Sequence, residues 1–244
     1  MKAEQLQLAL RPRPAYEAVD LGVRMTQRGG RSLVRAYLPL ALLLVVACGA
    51  TIEIKPWLPW LLLWWFKPWL DRTLLNIYAR QAFGEETHFA DAWEARRNAP
   101  WGPILGYVTL WRLSFWRSYS MPVGQLEGQT GAARRQRVKA IVRSHRGAAT
   151  MVTSAFGWIE FFLMLGLVSL LPWMTPGLRN IDALKWLNDD SLLSTGVAYA
   201  AYAVAVLFVE PFYVAAGFAM YLNRRVELEA WDVEQDLRHA FAPR

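Results

Sequence analysis

The sequence predicts an all-α integral membrane protein with four transmembrane helices and further helices on the cytoplasmic side. Apolar residues make up 55% of its 244 residues, charged residues make up 19%, and 13 residues are tryptophan. The apolar residues form runs of about 20, the length that an α-helix needs to cross a bilayer core. A soluble helical protein is the alternative, but it would have to bury these runs on every side within one small chain.

Four apolar runs define the predicted spans, which cover residues 36–53, 56–78, 148–172 and 192–222. The first run is uncharged from Ala36 to Ile52. The second begins with a dense stretch of Trp and Leu and carries Lys67 within it. The third and fourth each contain one carboxylate far from their ends, Glu160 and Glu210. Together the spans predict a single membrane domain over residues 1–244.

The basic residues predict how the spans are oriented. With these spans, 22 Lys and Arg residues lie in the two termini and the central segment, against 3 in the two opposite loops. The positive-inside rule therefore predicts that both termini and the central segment are cytoplasmic. This asymmetry accounts for the formal net charge of +7 without a nucleic-acid partner.

The densest basic cluster comes directly before the third span. It consists of Arg134, Arg135, Arg137, Lys139, Arg143 and Arg146. Cations beside a membrane gain about 1 kcal/mol each from anionic lipid headgroups. We therefore expect this cluster to bind anionic lipid on the cytoplasmic side or a protein partner. Binding of RNA or DNA is a less favoured alternative.

Three cytoplasmic segments have the pattern of helices at the membrane surface. Residues 15–27 are amphipathic and are followed by two glycines, which end the helix. Residues 98–127 begin with an uncharged stretch that is too short to span, so we expect an interfacial or re-entrant helix there. In its second part, Trp116 and Arg117 suit the headgroup zone of the cytoplasmic face. Residues 224–241 carry an acidic face, which packs on the basic central segment, contacts a partner protein or faces solvent.

The second and fourth spans share a pattern that predicts an internal repeat. Lys67 precedes Tyr78 by 11 residues, Glu210 precedes Tyr221 by 11 residues, and a proline follows each charged residue. The two halves, residues 15–95 and 133–240, would each hold an interfacial helix, a helix running out and a helix running back. Because both halves start in the cytoplasm, this is a parallel repeat about an axis along the membrane normal.

The matching positions of Lys67 and Glu210 in their spans predict an intramembrane polar site. Eleven residues of helix rise about 16 Å, which places Lys67 and Glu210 near the middle of the bilayer. An unpaired charge there costs from about 3 to more than 10 kcal/mol, so we expect the two side chains to form a buried ion pair. Pro68 and Pro211 are predicted helix breaks, each of which frees a backbone carbonyl. Glu160 lies at a similar depth, and it either completes the cluster or stays protonated and hydrogen-bonded to a neighbouring span.

Signatures of enzymes and metal sites are nearly absent from the sequence. The histidines His88, His145 and His239 are scattered, and no spacing of Cys, His and Asp residues would hold a metal. There is no phosphate-binding loop and no nucleophile elbow. We expect no catalytic residue, no metal and no cofactor. The one cysteine, Cys48, ends a string that resembles a lipoprotein cleavage box, but a small buried residue in the first span is the favoured interpretation.

Several strings in the sequence resemble a known family. They are Glu210-Pro211-Phe212-Tyr213, the tail from Tyr221 to Asp232, Lys67-Pro68 followed by Asp71-Arg72, and Met121-Pro122-Val123. They look like segments of bacterial polytopic inner-membrane proteins, similar to the membrane domains found beside, or fused to, glycerophosphodiester phosphodiesterases. The resemblance implies an all-helical fold in the bacterial inner membrane. It implies no phosphodiesterase activity, because these motifs are structural and not catalytic.

The expected function is that of a non-enzymatic component or scaffold of a membrane complex, assembled through the cytoplasmic basic and acidic helices. A transporter or lipid-handling protein that uses Lys67, Glu160 and Glu210 is the alternative. We favour a packing role for the ion pair, because a lone pair without a wider polar stripe makes a poor pathway. A third option is a subunit of a membrane enzyme whose chemistry resides in another chain. Small residues on the fourth span suit close helix packing or a homo-oligomer.

Overall fold

Helices form all the regular structure in the part of the chain that the computed structural model describes, residues 12–85, 87–97, 114–174 and 191–229. Their bounds are α1 Ala15–Arg28, α2 Gly30–Gly49, α3 Leu58–Ala82, α4 Phe89–Arg97, α5 Arg117–Gln125, α6 Gly131–Met174 and α7 Leu192–Glu229. α2 contains a π-helical turn, Leu33–Tyr37, and α6 is bent at His145, whose backbone angles (φ −118°, ψ 26°) are not helical. The predicted all-α class is confirmed for these residues.

Three of these helices are long and apolar enough to cross a membrane: α2, the Gly131–Leu170 part of α6, and α7. They cover the first, third and fourth predicted spans. α3 covers the second predicted span, but it is not among the three, since charged residues such as Lys67 and Asp71 lower its hydropathy. The chain is therefore a helical protein compatible with a membrane, and the second of its four predicted spans stays a prediction.

Large apolar side chains on the outside of the bundle agree with a lipid environment. On α6, Trp158, Phe161 and Phe162 are exposed and their rings contact one another. Val46 on α2 and Phe208 on α7 are also exposed. A soluble monomer rarely leaves apolar patches of this kind in water, whereas lipid tails cover them without cost.

α7 is the central helix, and α1, α3, α5 and α6 all pack against it. Close packing depends on small residues in its C-terminal half. A Cβ atom at Gly217 would lie 2.5 Å from the backbone carbonyl carbon of Ser118 on α5. Gly217 thereby lets α5 lie directly against α7. α3, which carries the charged residues of the second predicted span, also packs on α7.

α1 lies along the C-terminal half of α7. The backbone N–H of Arg13, just before α1, donates to Asn223 Oδ1 at 2.8 Å. A Cβ atom at Gly22 would lie 2.5 Å from the carbonyl oxygen of Ala215, and the Thr26 hydroxyl is 3.1 Å from the hydroxyl of Tyr78. A helix is present where the amphipathic helix was predicted, and its buried residues are Ala18, Gly22, Met25 and Thr26. Gly22 permits the close approach of this side to α7, while its contact with the membrane surface stays a prediction.

The helices continue through both prolines of the predicted breaks. Pro68 lies inside α3 and Pro211 lies inside α7. Both are buried within the bundle, where packing on neighbouring helices compensates for the one backbone hydrogen bond that each proline removes. The prediction that they break the helices is therefore wrong.

The order of elements is the same in the two predicted repeat halves. α1, α2 and α3 follow one another in the first, and the two parts of α6 and then α7 follow one another in the second. This order agrees with a duplication but does not establish one, so the repeat stays a prediction. Residues 98–113 of the predicted interfacial segment and residues 230–241 of the predicted acidic helix lie outside the described residues.

Candidate functional site

Three of the residues singled out in the sequence meet at the centre of the bundle. Lys67 Nζ lies 2.6 Å from Glu210 Oε2 and 2.5 Å from Glu160 Oε2. The side chains of Lys67, Glu160 and Glu210 are 8%, 14% and 2% exposed. The Lys67 ammonium thus lies between two carboxylates from two different helices, α6 and α7.

Two further charged residues extend this contact, and sequence reasoning did not assign them to it. Arg117 Nη2 donates to Glu210 Oε1 at 3.2 Å, and Arg117 Nε lies 2.9 Å from Asp71 Oδ2. The Arg117 and Asp71 side chains are 9% and 1% exposed. We call Lys67, Asp71, Arg117, Glu160 and Glu210 the central cluster.

The central cluster is a row of charges that alternate in sign along its ion pairs, and the carboxyl groups of Asp71 and Glu210 also interact directly with each other. It runs from Glu160 through Lys67, Glu210 and Arg117 to Asp71, so that each cation lies between two carboxylates. Four helices, α3, α5, α6 and α7, supply its members. Each of these groups is expensive to bury alone, and the row offsets that cost by giving every charge an opposite neighbour.

The position of Arg117 differs from the one predicted. Its side chain was expected in the headgroup zone, and it instead lies inside the bundle with its guanidinium carbon 5.5 Å from the centre of the Tyr213 ring. Two features account for this. Gly217 lets α5 come close to α7, and Asp71 and Glu210 supply the opposite charge that a buried guanidinium needs.

A cavity of about 380 Å³ lies beside the central cluster. Its lining includes four of the five charged residues, all except Asp71. The remaining lining residues are Trp64, Ser114, Phe115, Thr153, Phe156, Gly157, Val209 and Tyr213. Trp64 and Phe115 are exposed, so the cavity opens through an aromatic rim on the flank of the bundle. Hydroxyl groups, both signs of charge and aromatic faces therefore line one concave site of ligand size.

The backbone carbonyls one turn before each proline, those of Trp64 and Leu207, were expected to be available to a ligand, and this stays a prediction. The carbonyl of Pro211 itself is used within the bundle. It accepts a hydrogen bond at 3.0 Å from the hydroxyl of Tyr78, which in turn is paired with Thr26. Pro211 therefore contributes to the contact between α1, α3 and α7 and not to the lining of the cavity.

The predicted basic cluster is divided between two environments. Arg137 is paired with Glu127, at 2.9 Å from Nε, and with Glu229. Arg134 is buried, and the guanidinium carbon of Arg146 lies 4.4 Å from the centre of the Trp116 ring. Arg135, Lys139 and Arg143 are exposed. One side of the cluster thus holds the protein together, and the other side faces outward.

The acidic end of α7 contacts the basic central segment, one of the alternatives that the sequence left open. Arg137 on α6 is paired with Glu229 on α7. Arg225 Nη2 also lies 2.6 Å from Glu229 Oε2, and Tyr221 donates to Glu127 Oε1 at 2.7 Å. We call Glu127, Arg137, Arg225 and Glu229 the cytoplasmic cluster, after the side of the membrane on which the basic residues predict it to lie.

Metal-binding geometry does not occur in the described part of the chain. No group of three or more His, Cys, Asp or Glu side chains there could hold a metal ion. Cys48 is buried at 4% exposure in the first predicted span, packed near Tyr199 and Leu63. The expected absence of enzymatic activity stays a prediction.

Comparisons with protein-family models, with curated proteins and with solved structures find no match to this chain. The resemblance to the membrane domains associated with glycerophosphodiester phosphodiesterases therefore stays an expectation from the sequence. Any function must be argued from the geometry of the bundle itself.

Proposed function

We propose that this protein is an integral membrane protein that binds a small polar ligand or a lipid headgroup at the central cluster, as a transporter or lipid-handling protein. One observation carries the proposal: four ionisable side chains of the central cluster line a cavity that opens on the flank of the bundle. Ionisable groups within a membrane are costly and usually mark the pathway of a substrate or an ion.

The proposal departs from the packing role favoured on the sequence, and the number of charges is the reason. A lone Lys67–Glu210 pair is enough to fix the register of two helices. The central cluster adds Asp71, Arg117 and Glu160, and it borders the hydroxyl groups of Thr153 and Tyr213 across a cavity. This is the wider polar surface that a lone pair lacks, and it offers donors and acceptors to a ligand.

We propose a topology to match, with four spans in a bacterial inner membrane and both termini in the cytoplasm. α3 is the second span, because it lies between α2 and α7 and carries Lys67 to the centre of the bundle. α5 is one limb of a re-entrant segment, since its residues from Arg117 to Val123 are buried beside α7. Irregular backbone at membrane depth is tolerated where protein surrounds it in this way.

A scaffold in a membrane complex is the second candidate function. The observation that favours it is the outward side of the basic cluster, where Arg135, Lys139 and Arg143 are exposed. Three cations within nine residues of one helix would attract an acidic protein partner, a second copy with an acidic surface, or anionic lipid. A stoichiometric protein that is lost when these three residues are changed to Gln would favour this function.

The test of the proposed function is what the protein retains on purification. We would extract wild type and Glu160→Gln directly from the membrane into native lipid nanodiscs and identify the bound small molecules and lipids by mass spectrometry. Glu160→Gln keeps the size of the side chain and removes its charge at the cavity. Glu127→Gln is the matched control, because Glu127 is also ion-paired and slightly more buried, at 11% against 14% exposure, but lies outside the cavity.

We expect a compound that is retained by wild type and by Glu127→Gln and depleted at least several-fold from Glu160→Gln. If all three proteins retain the same compounds in the same amounts, the central cluster does not bind a ligand. Equal losses from the two variants would show a general effect of destabilisation and would also contradict the proposal.

A further inference from the structure

A second cavity, of about 550 Å³, lies at the other end of α3 from the central cluster. Its walls come from the end of α1, the start of α2 and the turn after α3. The lining residues are Leu21, Arg24, Met25, Arg28, Gly29, Arg31, Ser32, Gln81, Ala82, Gly84 and Glu85. Gln81 is 14 residues from Lys67 on the same helix, about 21 Å along its axis, so the two cavities are separate sites.

Three arginines line this cavity. Arg24 and Arg28 lie four residues apart on α1, the spacing that places two side chains on the same face of a helix, and Arg31 follows at the start of α2. Arg24 is paired with Asp20 at 3.0 Å. Arg28 and Arg31 are both exposed. Among the residues that the structure describes, no neighbouring carboxylate forms an ion pair with either of these two guanidinium groups in the cavity.

The single carboxylate in the lining is directed elsewhere. Glu85 Oε2 lies 3.8 Å from Arg80 Nε. The same arginine also contacts Asp91, with 3.5 Å between Arg80 Nη1 and Asp91 Oδ2. The floor of the cavity is fixed by Gln81, whose amide donates to the carbonyl of Gly29 at 3.4 Å. Any side chain on Gly29 would collide with Gln81, since a Cβ atom there would lie 2.5 Å from its Nε2. The glycine thus keeps α1, α2 and α3 together around the cavity.

We propose that this arginine cavity binds a phosphate group. Guanidinium groups pair with phosphate oxygens in a bidentate manner, and two of them with a nearby hydroxyl, here Ser32, suit a phosphate monoester or diester. The volume admits a phospholipid headgroup or a small soluble phosphate ester. The proposal is independent of the central cluster and of the function proposed for it.

Its location makes both sources of phosphate available. The cavity lies at the end of the bundle that the basic residues predict to be cytoplasmic, where anionic headgroups and soluble phosphates meet. The alternative is that these arginines only keep this end of the chain in the cytoplasm. In that case another exposed arginine of the same end would serve equally well, and Arg35 is exposed and lies outside the cavity. Lys55, in a loop predicted to lie on the opposite side, is a second exposed cation outside the cavity.

The experiment compares the double variant Arg28→Gln with Arg31→Gln against the control double variant Arg35→Gln with Lys55→Gln, whose residues lie outside both the cavity and the basic cluster before the third predicted span. Both remove two exposed cations. In the first arm the proteins are reconstituted in nanodiscs of equal parts phosphatidylglycerol and phosphatidylcholine, and the lipids retained on detergent extraction are measured by native mass spectrometry. In the second arm inorganic phosphate is added in neutral detergent, with sodium chloride of equal ionic strength as the reference, and the midpoint of thermal unfolding is measured.

We expect wild type and the control variant to retain phosphatidylglycerol over phosphatidylcholine, and the Arg28/Arg31 variant to lose this preference by roughly tenfold or more. If instead phosphate raises the unfolding midpoint of wild type and the control but not of the Arg28/Arg31 variant, the cavity binds a soluble phosphate. Equal behaviour of the two double variants in both arms would overturn the proposal, as would the absence of binding by wild type in both. The unfolding midpoints without phosphate show that each variant is folded.

Discussion

Two groups of ion pairs hold this bundle together, and they differ in burial far more than in geometry. Lys67 lies 2.6 Å from Glu210 in the central cluster, and Arg137 lies 2.9 Å from Glu127 in the cytoplasmic cluster. The exposed fractions of the side chains are 8% and 2% in the first pair, against 27% and 11% in the second. Similar distances therefore correspond to different energies, because water screens the second pair and hardly reaches the first.

The difference also separates two kinds of role. A partly hydrated pair orders the surface segments that it joins, and its loss is tolerated. A buried row of charges constrains the whole bundle, since removing one member leaves its neighbours without a counter-charge. Evolution can retain such a row for specificity or for function, and a cavity beside it favours function. The predictions below test whether the two clusters differ in this way.

The largest effect is expected from Glu210→Ala. Glu210 is the carboxylate that Lys67 and Arg117 share, so its loss leaves both cations short of a partner in a buried site. We expect a destabilisation of about 3–5 kcal/mol, seen as a lower midpoint of thermal unfolding in detergent and a lower amount of protein in the membrane. The matched control is Glu229→Ala in the cytoplasmic cluster, for which we expect about 1 kcal/mol or less.

A charge swap sharpens this prediction. If Lys67 and Glu210 formed an isolated pair, Lys67→Glu combined with Glu210→Lys would restore most of the lost stability. In the central cluster the swap places a lysine beside Arg117 and a glutamate beside Glu160, so like charges meet on both sides. We expect no rescue. Recovery to near wild-type abundance would show that the Lys67–Glu210 pair acts alone and that its charged neighbours do not contribute to the stability of the protein.

An intermediate effect is expected at Gly217, where α5 and α7 approach so closely that no side chain fits between them. Gly217→Ala adds a methyl group that would lie 2.4 Å from Ser118 Cβ and 2.5 Å from its backbone carbonyl carbon. Because a backbone atom cannot rotate away, α5 must shift and carry Arg117 with it. We expect a loss of about 1–3 kcal/mol in the free energy of unfolding.

Gly166→Ala is the control for this effect, since a Cβ atom at Gly166 meets nothing within 4 Å. It should leave stability unchanged or raise it slightly, because alanine is the better helix former. Equal losses from the two variants would indicate a general cost of replacing glycine, and the contact between α5 and α7 would then not position Arg117.

The central cluster could be predicted from the sequence only in part, and the two missed residues show why. Lys67 and Glu210 share the same distance from a tyrosine at the end of their spans, which suggested equal depth and hence a contact. Asp71 gave a usable signal as well, because it follows Lys67 by one helical turn and must lie on the same side of α3. Arg117 gave none, since its burial depends on α5 packing against Gly217, far away in the sequence.

The fold was predictable to a similar extent. The length and apolarity of the runs were enough to locate the helices that could cross a membrane, because both are local properties of the sequence. The position of α1 was not, since an amphipathic stripe packs equally well on lipid and on another helix. Gly22 lies against Ala215 on α7, and a contact of that kind becomes visible only when the partner helix is in place.

The smallest effect is expected from Arg137→Gln in the cytoplasmic cluster, and its dependence on salt is the more informative measurement. Arg137 joins Glu127 to Glu229 and is partly exposed, so we expect a loss of about 1 kcal/mol or less at low ionic strength. Raising the salt concentration to about 1 M shortens the screening length to about 3 Å and should remove most of that difference from wild type. For Glu210→Ala the difference from wild type should largely persist at the same salt concentration, because the side chains of Lys67, Glu160 and Glu210 are at most 14% exposed and buried charges are screened much less. If both differences faded alike, salt would screen the two clusters equally, and their difference in burial would have no energetic consequence.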